Sequence, residues 1–167
     1  MMVTRKIRNI KYLLGGIFMY LRRCNINWRN QYYKNKYPLI DESVRIGYET
    51  IIDGGVIIIG KNTYFQRNCQ IVGDVLIGKY CSIASGVNIW ANTHVHTKIN
   101  KCDVVIKGKI IIGDNVWIGT NAFIRENVTI GNNCIIGANS VVTHNVPDNK
   151  IVGGVPSKII GVIDDGN

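Results

Sequence analysis

A large apolar side chain returns every sixth residue through most of this chain: Ile46, Ile52, Ile59, Phe65, Ile71, Ile77, Ile83, Ile89, Ile112, Ile118, Ile124, Ile130, Ile136 and Val142. Two steps depart from the rule, seven residues from Ile52 to Ile59 and twenty-three from Ile89 to Ile112. The next residue is Gly in seven of the fourteen cases, and the residue two before is usually small or β-branched, as in Val75, Cys81, Ala122, Val128, Cys134 and Ser140. A period of six fits neither the 3.6 of a helix nor the alternation of a flat strand. It predicts an all-β hexapeptide solenoid, with each hexad one short strand and three hexads to a triangular coil. Fourteen hexads give between four and five coils. The Ile column then fills the prism axis, the small column turns inward beside it, and Gly and Asn take the corners. Burial of fourteen such side chains, at roughly 1.5–3 kcal/mol each, is ample to hold the stack.

Charge divides the chain. Residues 1–40 hold nine basic residues and no acid, while residues 41–167 hold eleven of each sign, so the whole net charge of +9 sits on an N-terminal arm. The organisation that follows is a basic helical arm over 1–40, a solenoid domain over 41–160 and a short tail over 161–167. In the arm, Ile7, Ile10, Leu14, Ile17, Phe18 and Leu21 share one side of a helical wheel opposite Arg5, Arg8, Arg22 and Arg23. Such a helix either packs on the solenoid or a neighbouring subunit, or places residues 1–36 on an anionic membrane surface. The apolar stretch Tyr12–Leu21 is too short to span a bilayer, and no small-x-small cleavage site follows it. The neutral solenoid offers no basic stripe for nucleic acid. Five cysteines, Cys24, Cys69, Cys81, Cys102 and Cys134, form no C-x-x-C pair, and three of them sit in the inward small column. That usage fits a reducing cytoplasm, with a peripheral position at the inner face of the membrane as the variant the arm would add.

Chemistry is expected in the long gap. A loop thrown out at about 91–109 can reach past the solenoid surface. It opens Asn92-Thr93-His94-Val95-His96 and so carries two of the three histidines. An imidazole, with an ordinary pKa of ~6.5, can take the proton of a hydroxyl as its oxygen attacks an acyl carbon.

Four stretches in order carry a resemblance: Ala84-Ser85-Gly86-Val87-Asn88-Ile89-Trp90-Ala91-Asn92-Thr93-His94, Ile111-Ile112-Gly113-Asp114-Asn115-Val116-Trp117-Ile118-Gly119, Ile136-Gly137-Ala138-Asn139-Ser140-Val141-Val142, and Val146-Pro147-Asp148-Asn149 through Gly153-Gly154-Val155-Pro156-Ser157-Lys158. Over about residues 44–160 the chain resembles the hexapeptide-repeat acetyltransferases, among them the galactoside, maltose, nodulation-factor and capsular-polysaccharide O-acetyltransferases. The resemblance implies a left-handed parallel β-helix, a homotrimer with active sites between subunits, and acetyl-CoA laid along the groove between them. It places the catalytic histidine at His94 and makes His96 a second, acceptor-side histidine; His144 occupies a corner where relatives often have Lys. A polar residue that positions the acceptor falls at Gln66 or Asn68, and Trp117 walls the acceptor or pantetheine channel or packs on the next subunit. Gly119, Thr120 and Ala138 match positions that line the pantetheine groove, and Lys158 matches one that meets the nucleotide end of CoA. Asp103 is the one acid in the loop available to orient His94.

These readings combine into an acetyl-CoA-dependent O-acetyltransferase acting on a carbohydrate hydroxyl of an envelope or capsular polysaccharide precursor, with no metal and no nucleic-acid partner. Transfer to the nitrogen of an amino sugar or xenobiotic is the alternative within enzymes. A γ-carbonic anhydrase-like metal site would need three grouped histidines, which the 94, 96, 144 spacing does not match, and a silent scaffold would have no use for the histidine loop and the C-terminal string together.

Overall fold

The computed structural model describes residues 27–94 and 105–164. The arm segment around Ile7–Leu21, together with Cys24, His96, Cys102 and Asp103, lies outside the described residues. Helix α1 covers 27–36. The chain then winds as a left-handed parallel β-helix of about 5 turns. The first coil is β1 (Arg45–Ile46), β2 (Ile51–Asp53) and β3 (Ile57–Ile59); the second is β4 (Tyr64–Phe65), β5 (Gln70–Val72) and β6 (Asp74–Ile77). In the third, β7 (Ser82–Ile83) and β8 (Asn88–Trp90) are separated from β11 (Lys109–Ile112) by a hairpin of β9 (Asn92–His94) and β10 (Val105–Lys107). The fourth is β12 (Trp117–Ile118), β13 (Phe123–Ile124) and β14 (Thr129–Ile130), and the fifth opens with β15 (Ile135–Ile136) and β16 (Val141–Val142). Strand β17 (Lys150–Gly153) follows, and β18 (Lys158–Val162) turns back antiparallel to it. Three faces result: β1-β4-β7-β12-β15-β17, then β2-β5-β8-β13-β16, then β3-β6-β11-β14.

The sixfold period is the inward position of each strand. All fourteen side chains of the apolar column are 2% exposed or less. Ile46, Phe65, Ile83, Ile118, Ile136 and Val152 meet coil on coil along the first face. The small column is equally buried, and its polar members bond to the neighbouring coil: Thr50 Oγ1 donates to Gln66 O (3.0 Å) and Thr63 Oγ1 to Gly78 O (2.8 Å). Cys69, Cys81 and Cys134 do the same with their thiols, toward Ala84 O (3.2 Å), Gly113 O (3.2 Å) and Pro147 O (3.1 Å). Burial pushes all three thiols above the usual cysteine range, which keeps them protonated and donating.

Corners take the left-handed conformation, and among the described residues eight of the ten non-glycine positions with positive φ are Asn. Asn tolerates that region better than any side chain but glycine. At one corner the amides also ladder: Asn115 Nδ2 donates to Asn133 Oδ1 (3.0 Å), and Asn133 Nδ2 to Asn149 Oδ1 (3.1 Å). The seven-residue step of the first coil is an enlarged corner, Asp53–Val56, which Asp74 Oδ1 braces by accepting from Val56 N (2.8 Å). The stack also runs further than the regular column. Val146, only four residues after Val142, bridges to Ile130 and completes the fifth coil, and Val152 adds a sixth strand to the first face.

Helix α1 closes the open end. The Asn30 amide copies a strand neighbour, accepting from Ile46 N (2.7 Å) and donating to Ile46 O (3.2 Å). The buried Tyr33 hydroxyl donates to Thr50 O (3.2 Å) and accepts from Ile52 N (3.3 Å), and Tyr37 Oη accepts from Gly54 N (3.2 Å). On the third face the backbone of Leu39 and Asp41 exchanges bonds with Ile59. Each first-coil edge is therefore satisfied before solvent or another chain can pair with it. No helix among the described residues is long and apolar enough to cross a membrane.

Adjacent positions of β7 should separate the two surfaces of the wall. Ile83→Ala, at a fully buried site, should cost about 2–5 kcal/mol in chemical denaturation, whereas Ser82→Ala, on the exposed face, should stay within about 0.5 kcal/mol of the parent.

Candidate active site

Two corners of the prism collect the candidate residues. His94 ends β9, which belongs to the antiparallel hairpin and not to the solenoid wall, in the register Val105↔His94, Ile106↔Thr93 and Lys107↔Asn92. The hairpin leaves the corner between the second and third faces. Gly108 N donates to Ala91 O (2.8 Å) at its root, and Asn127 Oδ1, one coil on, accepts from Lys109 N (3.3 Å). Gly73 makes room beneath it: its φ is +90°, and a Cβ there would stand 2.7 Å from Asn92 Oδ1. The His94 side chain is exposed, and no hydrogen bond or ion pair joins its imidazole to another described residue. His144 lies at the same corner two coils on, with Nδ1 2.9 Å from Thr143 Oγ1.

The other corner, between the first and second faces, is a ridge built from one short segment per coil. Gly47, Gln66, Ala84, Gly119 and Gly137 follow one another along it, each N–H donating to the next coil: Gly47 N to Phe65 O (2.9 Å), Gln66 N to Ile83 O (2.8 Å), Ala84 N to Ile118 O (2.9 Å), Gly119 N to Ile136 O (2.8 Å) and Gly137 N to Val152 O (2.8 Å). Coils approach so closely here that a Cβ on Gly119 would lie 2.6 Å from Ala138 N. Thr120 and Ala138 are exposed on the crest. Lys158 closes its far end, because the β17–β18 pairing sets Lys158 opposite Gly153. Gly119, Thr120, Ala138 and Lys158 are thus one continuous feature, lined by backbone and small side chains and ending at a cation.

At the near end of the ridge, between α1 and the first coils, opens a groove of about 1370 Å³. Gln66 and Ser85 lie in it one above the other: Gln66 Oε1 accepts from both Ser85 Oγ (2.8 Å) and Ser85 N (3.2 Å). Arg67 Nη1 donates to Tyr48 Oη (2.7 Å) in the same groove. Asn68 is a corner residue with φ 58°, its N–H bonded to Tyr48 O (3.0 Å). Trp117 is half exposed on the first face, in register between Ser82 and Ile135. Within one chain, then, the structure gathers Gln66 with the ridge and sets His94 at a different corner. Among the described residues no three His, Cys, Asp or Glu side chains group as a metal site.

Ser85, Tyr48 and Arg67 were not singled out from the sequence, although a signal existed. One coil is 18 to 19 residues, so Tyr48 with Arg67 and Gln66 with Ser85, each nineteen apart, are stacked neighbours.

The bacterial transferase hexapeptide (six repeats) family matches residues 57–89 and 109–144. A maltose O-acetyltransferase from Clostridium difficile 630 superposes with a TM-score of 0.67 at 30% identity, over 77% of this chain and 72% of that one. The chain belongs to the hexapeptide-repeat acetyltransferases. A second member, the hexapeptide-repeat-containing acetyltransferase of Vibrio cholerae O1 biovar eltor solved with acetyl coenzyme A, superposes with a TM-score of 0.64 at 27% identity, over 77% of this chain and 74% of that one. Among curated proteins the chain matches the UDP-3-O-acylglucosamine N-acyltransferase of Methylorubrum extorquens, 38% identical over 58 residues, and spans 16% of that protein's length and 33% of its own.

For this acetyltransferase the Gly119 contact gives a check that needs no ligand. Gly119→Ala forces the ridge apart at a backbone contact and should lower stability by about 1–3 kcal/mol. Thr120→Ala, on the exposed crest, should leave the melting curve nearly unchanged.

Proposed function

We propose that the protein transfers the acetyl group of acetyl-CoA to a hydroxyl of a carbohydrate acceptor, with His94 as general base. The observation that carries the reading is the division between two corners. A histidine is held clear of the wall on a braced hairpin, and a separate backbone-lined ridge runs from Gln66 past Gly119, Thr120 and Ala138 to Lys158. Small residues at Ala84, Gly119, Gly137 and Ala138 let the pantetheine arm lie against main chain, and Lys158 supplies a cation for a phosphate at the nucleotide end. Since one chain keeps His94 away from its own ridge, His94 serves the ridge of a neighbour, and three chains around a threefold axis close three equivalent sites.

In that site the imidazole of His94 accepts the acceptor's hydroxyl proton while the oxygen bonds to the acetyl carbon. The C–S bond then breaks, and the imidazolium returns the proton to the sulfur, leaving an ester and the free CoA thiol. The backbone N–H groups of Thr120 and Ala138 at the crest, which take no part in the coil-to-coil bonds, are the preorganised donors for the negative charge that builds on the carbonyl oxygen. Gln66, Asn68 and Trp117 lie on the acceptor side of the ridge, and His96, two residues beyond His94, is assigned to the acceptor as well. The acceptor belongs to the precursors of envelope or capsular polysaccharide, and the basic arm keeps the enzyme at the inner face of the cytoplasmic membrane.

His94→Ala should lower kcat by roughly 100-fold or more while CoA affinity and melting temperature hold, because only proton transfer is removed. Free-thiol release from acetyl-CoA with a sugar panel that includes amino sugars measures it and separates O- from N-transfer. His96→Ala should cost much less. Light scattering should give three chains per particle; an active monomer would defeat the shared site.

The arm has its own test. Deleting residues 1–26 keeps α1, and with it the cap on the first coil, so that folding and thiol release survive. If the arm holds the membrane, the full-length protein co-sediments with vesicles of anionic lipid at low salt, is released at high salt, and loses the property on truncation. Failure of the full-length protein to bind at low salt would remove the membrane from the account.

A further inference from the structure

The groove beneath α1 carries two guanidinium groups with no carboxylate partner among the described residues. Arg45 and Arg67 both line it, and neither takes part in any of the ion pairs formed among the described residues. The one carboxylate in the lining, Glu42, is already engaged, with Oε2 3.4 Å from Lys34 Nζ. Glu49, whose charge also reaches Arg67, forms no ion pair with it. Instead the Arg67 guanidinium lies over the Tyr48 ring at 5.9 Å and donates one bond to its hydroxyl at 2.7 Å. A neutral partner therefore fixes the direction of the fork, and no described carboxylate is in contact with it. Gln66 is oriented as strictly, because both Ser85 donors fall on Oε1 and leave the Nε2 hydrogens as the groove's donors. Tyr64, 42% exposed, supplies a flat apolar surface in the same lining.

A neutral sugar uses hydroxyl donors and acceptors together with an aromatic face; it has no use for two unpaired guanidinium groups. A guanidinium fork matches the two oxygens of a phosphate or a carboxylate. We propose that the acceptor is a saccharide bearing an oxyanion, whose charge is held by Arg45 and Arg67 while Gln66 Nε2 and the Tyr64 ring engage the sugar. This rests on the acetyl-transfer reading above and adds the charge of the substrate to it.

The test titrates the full-length protein, without acetyl-CoA, with glucose 1-phosphate, glucuronate and methyl glucoside, and repeats each titration with Arg45→Gln, Arg67→Gln and Arg67→Lys variants. Thiol release from acetyl-CoA is then measured with the same three sugars. The glutamine variants should lose at least about tenfold in affinity for the anionic sugar while methyl glucoside stays weak throughout. Arg67→Lys, which keeps the charge but not the fork, should recover part of the loss and confirm that the variants fold. Tighter binding of glucose 1-phosphate than glucuronate assigns the anion as phosphate, and the reverse order as carboxylate. Methyl glucoside binding as tightly as either anionic sugar, or anionic affinity unchanged in both glutamine variants, overturns the proposal. Arginine-dependent binding with no thiol release from any of the three keeps the anion site and removes the acetyl-transfer reading. Thiol release that favours methyl glucoside and ignores both arginines does the opposite.

Discussion

Each coil of this protein hydrogen-bonds to its neighbours in the stack, and the rest of the structure depends on keeping those ladders in register. Strands two to four residues long are too short to hold a register by themselves. It is imposed by the axis, where a slip of one residue would turn the Ile column out to solvent and draw in outward residues such as Arg45, Gln70, Ser82, Asn88 and Thr129. The corner chemistry follows from the same demand. Left-handed Asn residues, Gly119 against Ala138, and the amide ladder Asn115–Asn133–Asn149 all serve to turn the chain through one tight angle at the same height in successive coils.

What was legible in the sequence is what repeats. The apolar column, the small inward column and the place of the extruded loop can be read by counting in sixes, because each position does the same physical job in every coil. Features that occur once escaped the count. Val146 was hidden by a four-residue step, and α1 closes the first coil through Asn30, Tyr33 and Tyr37 with no periodic pattern to announce it. The ridge was legible in part: Gly119, Thr120, Ala138 and Lys158 came from family resemblance, and the structure shows that they form one line. Ser85 and Arg67 went unnoticed, since a contact across nineteen residues is visible only to a count by whole coils. His94 ends β9, where no described residue hydrogen-bonds its imidazole, and His96 lies outside the described residues, so counting alone could place the histidine loop but not its chemistry.

The separation of duties between corners has a physical economy. A solenoid wall is stiff because its interior is close-packed, which holds the ridge backbone at a fixed spacing from coil to coil. On the proposed mechanism, a histidine that carries a proton between two reactants needs reach beyond the wall, which a strand of the coil cannot provide. The hairpin gives reach and keeps two anchors in the wall, the Gly108–Ala91 bond and the Asn127 side chain, so that His94 projects from a braced root.

The caps at the two ends give the stack an adjustable length. Helix α1 recognises only the first coil, and β18 pairs only with β17, so neither end registers how many coils lie between them. A duplicated coil of eighteen residues inserted after the hairpin would lift the Lys158 end by one strand spacing, about 4.8 Å, and leave the groove beneath α1 and the His94 corner where they are. The solenoid thus works as a ruler with fixed ends and a variable count of graduations. On the proposed reading, the distance from the reacting atoms to the terminal cation, and hence the length of donor that fits, is set in whole-coil increments by how many times the hexad pattern is repeated.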